Sequence, residues 1–285
     1  MLCTGAAGFL GKAVCEKLRG EGHITIATDL VEGGDLTKPF FTADITQGVS
    51  IDPIPVDAVV HMAAIAAPRT CEADPGLAYN VNVNGTHQVI KFALTSGAKK
   101  FVFISSAHVY GISPKYMPTD EQHPLHPQET YTTTKILGEK LCELYHENYG
   151  LSYTTLRLFN AYGPGQLPGY FIPDMIAKAK DGGISLNGGG TTKDFVYVDD
   201  VAKAVLAAIE TPYVGPINIG TQVESSLAEV VLMIANGMDT ECVTYNDPVG
   251  VGTRMQADRS RAKRVLKWEP TVNLVDGLRR TVDAS

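Results

Sequence analysis

The chain has 285 residues, 44% hydrophobic and 19% charged, with a formal net charge of −7. Its length suits one large domain or two small ones, and its negative balance disfavours non-specific binding to nucleic acid or anionic membrane, which needs clustered positive charge. No apolar run approaches the roughly 18 residues of a membrane helix and the start lacks a signal-peptide pattern, so a cytoplasmic location is expected.

The chain opens MLCTGAAGFLG. Gly5, Gly8 and Gly11 are spaced more tightly than the dinucleotide fingerprint, but serve the same need: a sharp turn that brings backbone amides and a helix N-terminus to a pyrophosphate. With 28 glycines in the chain, a coincidental match is the competing reading. The turn is predicted to join a very short first strand, residues 1–4, to a helix over 11–20. HITIATD (23–29) then reads as a strand ending at Asp29, near the roughly 20-residue spacing of a carboxylate that holds adenosine ribose hydroxyls. A carboxylate there repels a 2′-phosphate, and no Lys or Arg lies between Arg19 and Lys38 to bind one, so NAD is favoured over NADP. Asp29 reads alternatively as a solvated turn residue. Asp44 in FTADIT either faces the adenine or is a plain surface carboxylate.

DAVVHMAA (57–64), KKFVFISS (99–106) and SYTTLRLFNA (152–161) are near-continuous apolar runs that suit strands buried on both faces. Helical patterns over 76–97 and 130–150 lie between them. This alternation predicts an α/β fold, a doubly wound parallel sheet whose ligands bind beyond the carboxyl ends of its strands. Ser105 and Ser106 close one such strand. Tyr131 and Lys135, four apart, share a helix face, where a nearby ammonium lowers a phenol's pKa and makes it an acid/base near neutrality. Turn-capping serines and a chance Tyr–Lys spacing are the competing readings.

After Tyr162 the stretches GPGQLPGYFIP and DGGISLNGGGTTKD break the pattern. DFVYVDDVAKAVLAAIE reads as a strand and helix, GPINIG as a short strand, LAEVVLMIAN and SRAKRVLKWEP as small helices. The expected organisation is a nucleotide-binding domain over 1–165, with 191–220 returning to it, and a smaller lobe from 166–190 and 221–285. The cysteines (Cys3, Cys15, Cys71, Cys142, Cys242) are scattered, odd in number and without C-x-x-C spacing, which predicts reduced thiols, no disulfide framework and no zinc site.

TGAAGFLG, HMAA, NVNGT, SSAHVYG, YTTTK, LRLFNAYGPG and KDFVYVDDVA occur in the order seen in the extended short-chain dehydrogenase/reductases. More narrowly the chain resembles the NAD-dependent nucleotide-sugar epimerase/dehydratase family, down to LKWEP near its end. The resemblance implies a Rossmann-like domain with a smaller substrate lobe. NAD would lie against Gly5, Gly8, Phe9, Leu10 and Gly11, with Asp29, Asp44 and Ile45 beside the adenosine. Ala63, Ala64 and Asn82 would support the cofactor near its reactive end. Tyr131 would take a proton from a sugar hydroxyl, Lys135 would hold the nicotinamide ribose, and Ser106 would hydrogen-bond the reacting oxygen. His108, Asn160, Lys193 and Arg254 would face the nucleoside-diphosphate sugar.

Departures from the family pattern narrow the expected reaction. Dehydrating and decarboxylating members carry an acidic residue just after the catalytic serine or threonine; here Ala107 and His108 stand there, which demotes both reactions. His108 is either a second proton-transfer group, with an imidazole able to titrate near 7, or pocket lining. Lys193 stands where relatives have arginine, and DPVGVGTRM where they have Arg-Pro-Gly-Asp. Lysine cannot reproduce bidentate phosphate binding, so Lys193 and Arg254 are the remaining candidates for the diphosphate. The first strand is short for a central one; either it suffices or natural upstream residues are absent from this chain. The expected activity is epimerisation at C4 through a 4-keto sugar. Its rivals are a dehydrogenase or keto-reductase using NAD as co-substrate, and a non-catalytic NAD-binding protein. Relatives imply a homodimer through helices 76–97 and 130–150. Cys142, Tyr145 and Tyr149 share a face of the latter, which would equally serve as core.

Overall fold

Strands that are apolar on both faces need cover on both, and the chain supplies it by returning helices to either side of one sheet. The computed structural model describes residues 1–31, 39–49, 54–240, 243–245 and 252–285. Strand β1 (Leu2–Thr4) leads through helix α1 (Phe9–Gly20) to β2 (Ile26–Asp29), β3 (Phe40–Thr42) and β4 (Ala58–His61). Helices α2 (Pro68–Ala73), α3 (Pro75–Tyr79) and α4 (Thr86–Thr95) precede β5 (Lys100–Ser106), and α5 (Thr130–Tyr149) precedes β6 (Tyr153–Leu158). Then follow β7 (Asn160–Tyr162), α6 (Phe171–Lys180), β8 (Ile184–Leu186), β9 (Thr192–Tyr197), α7 (Val198–Glu210) and β10 (Gly215–Ile219). The chain ends through β11 (Glu224–Ser226), α8 (Leu227–Gly237), β12 (Val243–Tyr245) and α9 (Leu274–Asp283).

Seven strands form one parallel sheet in the order β10-β6-β5-β4-β1-β2-β3. The short β1 is central: Cys3 pairs with Ala27 on one side and Val60 on the other. Strand order reverses between β1 and β4, the point at which such sheets bind ligands. Alternation sorts the core. Cys3, Val60, Val102 and Ile104 face α1 and α7, while Leu2, Val59, Phe101 and Phe103 face α4 and α5.

The helix predicted over 76–97 is present as one continuous helical run, α3, a π-helical stretch Asn80–Gly85 and α4, with right-handed helical backbone at both junctions. Helix α2 was not legible; it and α3 are short and each starts at a proline in the N1 position. The strand read over 152–161 ends at Leu158, and Asn160–Tyr162 joins a separate sheet in the order β11-β9-β7. Thus β9 belongs to the small sheet, whereas α7 and β10 pack with the large one. Cys3, Cys15, Cys71 and Cys142 are free and buried; Cys242 and residues 247–251 lie outside the described residues. No helix among the described residues is long and apolar enough to cross a membrane.

Candidate active site

The glycine turn has the backbone that its sequence predicts. Gly5 has φ +67°, a left-handed conformation that favours glycine, and a Cβ on Gly11 would lie 2.1 Å from the Gly5 carbonyl oxygen. Gly8 caps α1 without a side-chain hydrogen bond, so the first-turn amides and the positive end of the helix dipole stay available to an anion. Asp29 braces the turn, accepting from Ala7 N at 2.9 Å and Leu30 N at 2.7 Å. Phe9 and Leu10 are half-buried and pack against the core of the small lobe. Asp44 caps the turn Ile45–Gln47 by accepting from Thr46 N, and Ile45 is buried in the core beside Leu2.

A directed chain of neutral hydrogen bonds runs from this turn to the helix carrying Tyr131. Thr86 Oγ1 donates to the Asn82 carbonyl at 2.6 Å, so at the 2.9 Å contact with His61 Nε2 the imidazole donates and Thr86 accepts. His61 Nδ1 then accepts from Thr4 Oγ1 at 2.7 Å, and Thr4 Oγ1 accepts from Met62 N and Ala63 N. Asn82 Nδ2 donates to Thr134 Oγ1 at 3.0 Å, and Thr134 Oγ1 donates to the Tyr131 carbonyl at 2.7 Å. Asn82 also clasps Ile65 through both its N–H and its carbonyl, fixing the segment that holds Ala63 and Ala64. Sequence reading placed Asn82 here but assigned nothing to His61, Thr86 or Thr134, whose partners are visible only once β1, β4 and the helices are assembled.

The first turn of α5 brings the Tyr131 phenol close to Ser106 at the end of β5. Lys135, buried one turn on, donates to the Ile104 carbonyl at 2.9 Å and lies 5.8 Å from the Tyr131 ring centre. Burial lowers Lys135 to about 8. Burial, not the neighbouring ammonium, sets the net direction for Tyr131. Desolvation raises the phenol well above its ordinary value, Tyr170 adds to the rise, and the nearby Ser106 hydroxyl opposes it only in part. Cys71 and Tyr170 also lie near Tyr131, and neither was foreseen from the sequence.

His108 follows Ser106 in the turn Ala107–Tyr110 and is half-buried. Burial, reinforced by the charge of Lys193, lowers it to about 4, so it is neutral at pH 7 rather than titrating there. Lys193 on β9 is itself lowered by burial, with Glu129 opposing the shift. Asn160, on the neighbouring β7, donates to the Asp194 carbonyl at 3.1 Å. Arg254 is 60% exposed and grips Glu224 through Nε at 3.0 Å and Nη2 at 2.5 Å. His108, Lys193 and Asn160 thus flank the Ser106 end of the large sheet, whereas Arg254 is engaged at the edge of the small one.

Residues 1–220 match the model of the NAD dependent epimerase/dehydratase family. A putative UDP-glucose 4-epimerase from Methanocaldococcus jannaschii is 33% identical, the match covering 99% of this chain and 97% of that protein. The UDP-glucose 4-epimerase of Thermotoga maritima, solved with UDP-glucose, superposes with a TM-score of 0.90 at 28% identity over 99% of this chain and 97% of that one. A dTDP-glucose 4,6-dehydratase from Streptomyces venezuelae, solved with NAD, gives a TM-score of 0.88 at 26% identity, covering 99% and 95%. NAD is the cofactor, and the uncapped start of α1 above the Gly5 turn fits its pyrophosphate. The fold, the turn and these relatives together place the chain in the NAD-dependent epimerase/dehydratase family.

Proposed function

We propose that this protein is an epimerase of a nucleoside-diphosphate sugar, inverting C4 through a transient 4-keto sugar. The observation that carries this reading is the proximity of Ser106 and Tyr131 with Lys135 beside them, in a site where Ala107 and His108 replace the acidic residue that dehydration uses. When bound, NAD supplies a hydride acceptor and a positive charge that favours the Tyr131 phenolate. Tyr131 takes the proton from the C4 hydroxyl and returns it to the inverted one. Ser106 holds the C4 oxygen while its bond order changes. Lys135, anchored on Ile104, binds the ribose and balances the phenolate. Neutral His108 lines the sugar pocket as a hydrogen-bonding group. Lys193 on β9 and Asn160 on β7 meet the diphosphate and sugar from the small sheet, so that the keto-sugar turns over while its nucleotide stays held.

The test is incubation of purified protein, without added cofactor, with UDP-glucose, UDP-N-acetylglucosamine, their uronates and GDP-mannose. Interconversion of one C4 pair supports the reading; stoichiometric reduction of added NAD, with no epimer formed, would sink it in favour of a dehydrogenase. We also propose a homodimer built on α3 and α5, where Leu77, Tyr79, Leu137, Leu144 and Tyr149 are exposed. Light scattering after size exclusion checks it, and a monomer at micromolar concentration would exclude it.

A further inference from the structure

Beneath the site lies a buried ionic cluster to which the reaction just described assigns no part. The parallel register of β5 and β6 sets Ser105 opposite Arg157, and both point at Glu139 on α5. Ser105 Oγ donates to Glu139 Oε1 at 2.6 Å. Arg157 Nε donates to Oε1 at 3.0 Å and Nη2 to Oε2 at 2.6 Å, so the carboxylate is gripped bidentately. The guanidinium is held in turn: Nη1 donates to the Tyr110 hydroxyl at 2.9 Å, and Tyr110 donates to Asn218 Oδ1 at 2.6 Å. The side chains of Arg157 and Glu139 are only 5% and 9% exposed.

Glu139 is one helical turn beyond Lys135 and on the same face, as Lys135 is one turn beyond Tyr131. Ser105 is the neighbour of Ser106. One carboxylate therefore touches the strand that carries the serine and sits on the helix that carries the tyrosine and lysine. Arg157 and Ser105 occupy both carboxylate oxygens, so Glu139 acts on Lys135 through its charge and does not pull the ammonium off the Ile104 carbonyl. We propose that the Ser105–Glu139–Arg157 cluster is a positioning device for the reaction: it locks α5 to the end of β5 and supplies the buried negative charge that keeps Lys135 cationic beside Tyr131.

The need follows from burial. A lysine brought down to about 8 is close to losing its proton at working pH, and its site offers few compensating charges. The groups facing Lys135 are the Cys71 thiol from α2, neutral His61 from β4, and Tyr131 and Glu139 from α5 itself. Glu139 is the one carboxylate among them. Its charge is also felt across the core, where it helps raise the Cys142 thiol and the Tyr153 phenol. The groups facing Glu139 are Arg157 and Tyr153 from β6, Ser105 from β5, Tyr110 and Cys142.

This inference rests on the roles given above to Tyr131 and Lys135, and its test is chosen to be separable from them. In NAD-bound protein carrying [ζ-15N]lysine, the Lys135 resonance, assigned by its loss in Lys135→Met, is followed against pH. In Glu139→Gln the Lys135 titration is expected to fall by about 1 on the pH scale, both from the lost attraction and from the unpaired Arg157. The alkaline limb of kcat/KM for UDP-glucose should move down with it, and Glu139→Asp should restore most of both. Ser105→Ala, which removes a hydrogen bond but no charge, should leave the titration in place. If Glu139→Gln does not fold, Glu139→Gln/Arg157→Met buries no lone charge and should still show the downward shift. A folded charge-free variant whose Lys135 titrates as in the wild type, however much stability it has lost, would overturn the proposal. Wild-type epimerisation by Tyr131→Phe would instead sink the assigned roles, while the lysine titration still decides the part played by Glu139.

Discussion

The carboxyl end of the large sheet and the face of the small sheet opposite it are built on different principles. At the large sheet the supporting polar groups are buried and tied to one another: Thr4, His61, Thr86, Asn82 and Thr134 in one chain, Ser105, Glu139 and Arg157 in a second. At the small sheet the candidates are charges at the rim: half-buried Lys193 and exposed Arg254, the latter paired with Glu224. Buried, fully satisfied networks hold a geometry rigidly, whereas rim charges can be exchanged at little cost in stability. On the proposed reading, the difference assigns the chemistry to the first region and substrate choice to the second.

The largest effect should come from the first region. Tyr131→Phe is expected to lower kcat for epimerisation by about 10²–10⁴-fold while NADH binding, read by cofactor fluorescence, is retained. A variant with more than a tenth of wild-type kcat would break the division, because the chemistry would then lie elsewhere.

His61 comes next, through stability. Burial, helped by the charge of Lys135, lowers its pKa to about 3, whereas in an unfolded chain imidazole titrates near about 6.5. Between those values the unfolded state binds the extra proton, so stability is full above about 6.5 and is lost as pH falls towards 3. His108, lowered to about 4, adds to the same slope. His61→Leu removes its share of that slope and leaves the Thr4 hydroxyl without its acceptor, a cost of about 1–3 kcal/mol at pH 7. Urea unfolding at pH 7 and pH 5 checks both: the variant should be less stable at pH 7, yet lose less on acidification. Equal losses would mean that His61 is not held neutral.

The two regions also differ in how far the sequence reveals them. Gly5, Gly8 and Gly11, the carboxylate of Asp29, and Tyr131 with Lys135 are separations along one turn, one strand end and one helix face, so chain-local periodicity exposes them. Arg157 sits in LRLFN, which reads as an apolar strand, and its meaning appears only when the parallel register sets it against Ser105. The same limit hid the π-helical stretch Asn80–Gly85 inside the helix read over 76–97. Nor does spacing show burial: it gives the proximity of Lys135 to Tyr131 but not the desolvation that raises the phenol. On the small lobe, rim charges carry little local signature, and sequence alone could not separate Lys193, buried enough to lower its pKa, from Arg254.

Lys193 offers the test that separates recognition from chemistry. Lys193→Met should raise KM for the nucleotide sugar by roughly tenfold or more, the worth of one charge-assisted hydrogen bond, with kcat changed far less. Loss of the charge should also let the His108 pKa rise from about 4, since Lys193 contributes to its depression. A fall in kcat with KM unmoved would make Lys193 part of the chemistry and blur the boundary between the regions.

Arg254 carries the smallest expected effect and the sharpest sign. Its guanidinium is paired with Glu224, and Glu224 is also held by Thr192 Oγ1, so the carboxylate is fixed and the arginine is the partner that would turn to an incoming anion. Arg254→Gln should therefore leave the thermal midpoint unchanged and raise KM by no more than about fivefold, an effect that fades as salt is added. Glu224→Gln removes the competitor and should lower KM at low ionic strength. Both follow if the pair opens for the diphosphate. If neither variant moves KM at low salt, Arg254 belongs to the edge of the small sheet alone, and Lys193 is the cation that meets the nucleotide.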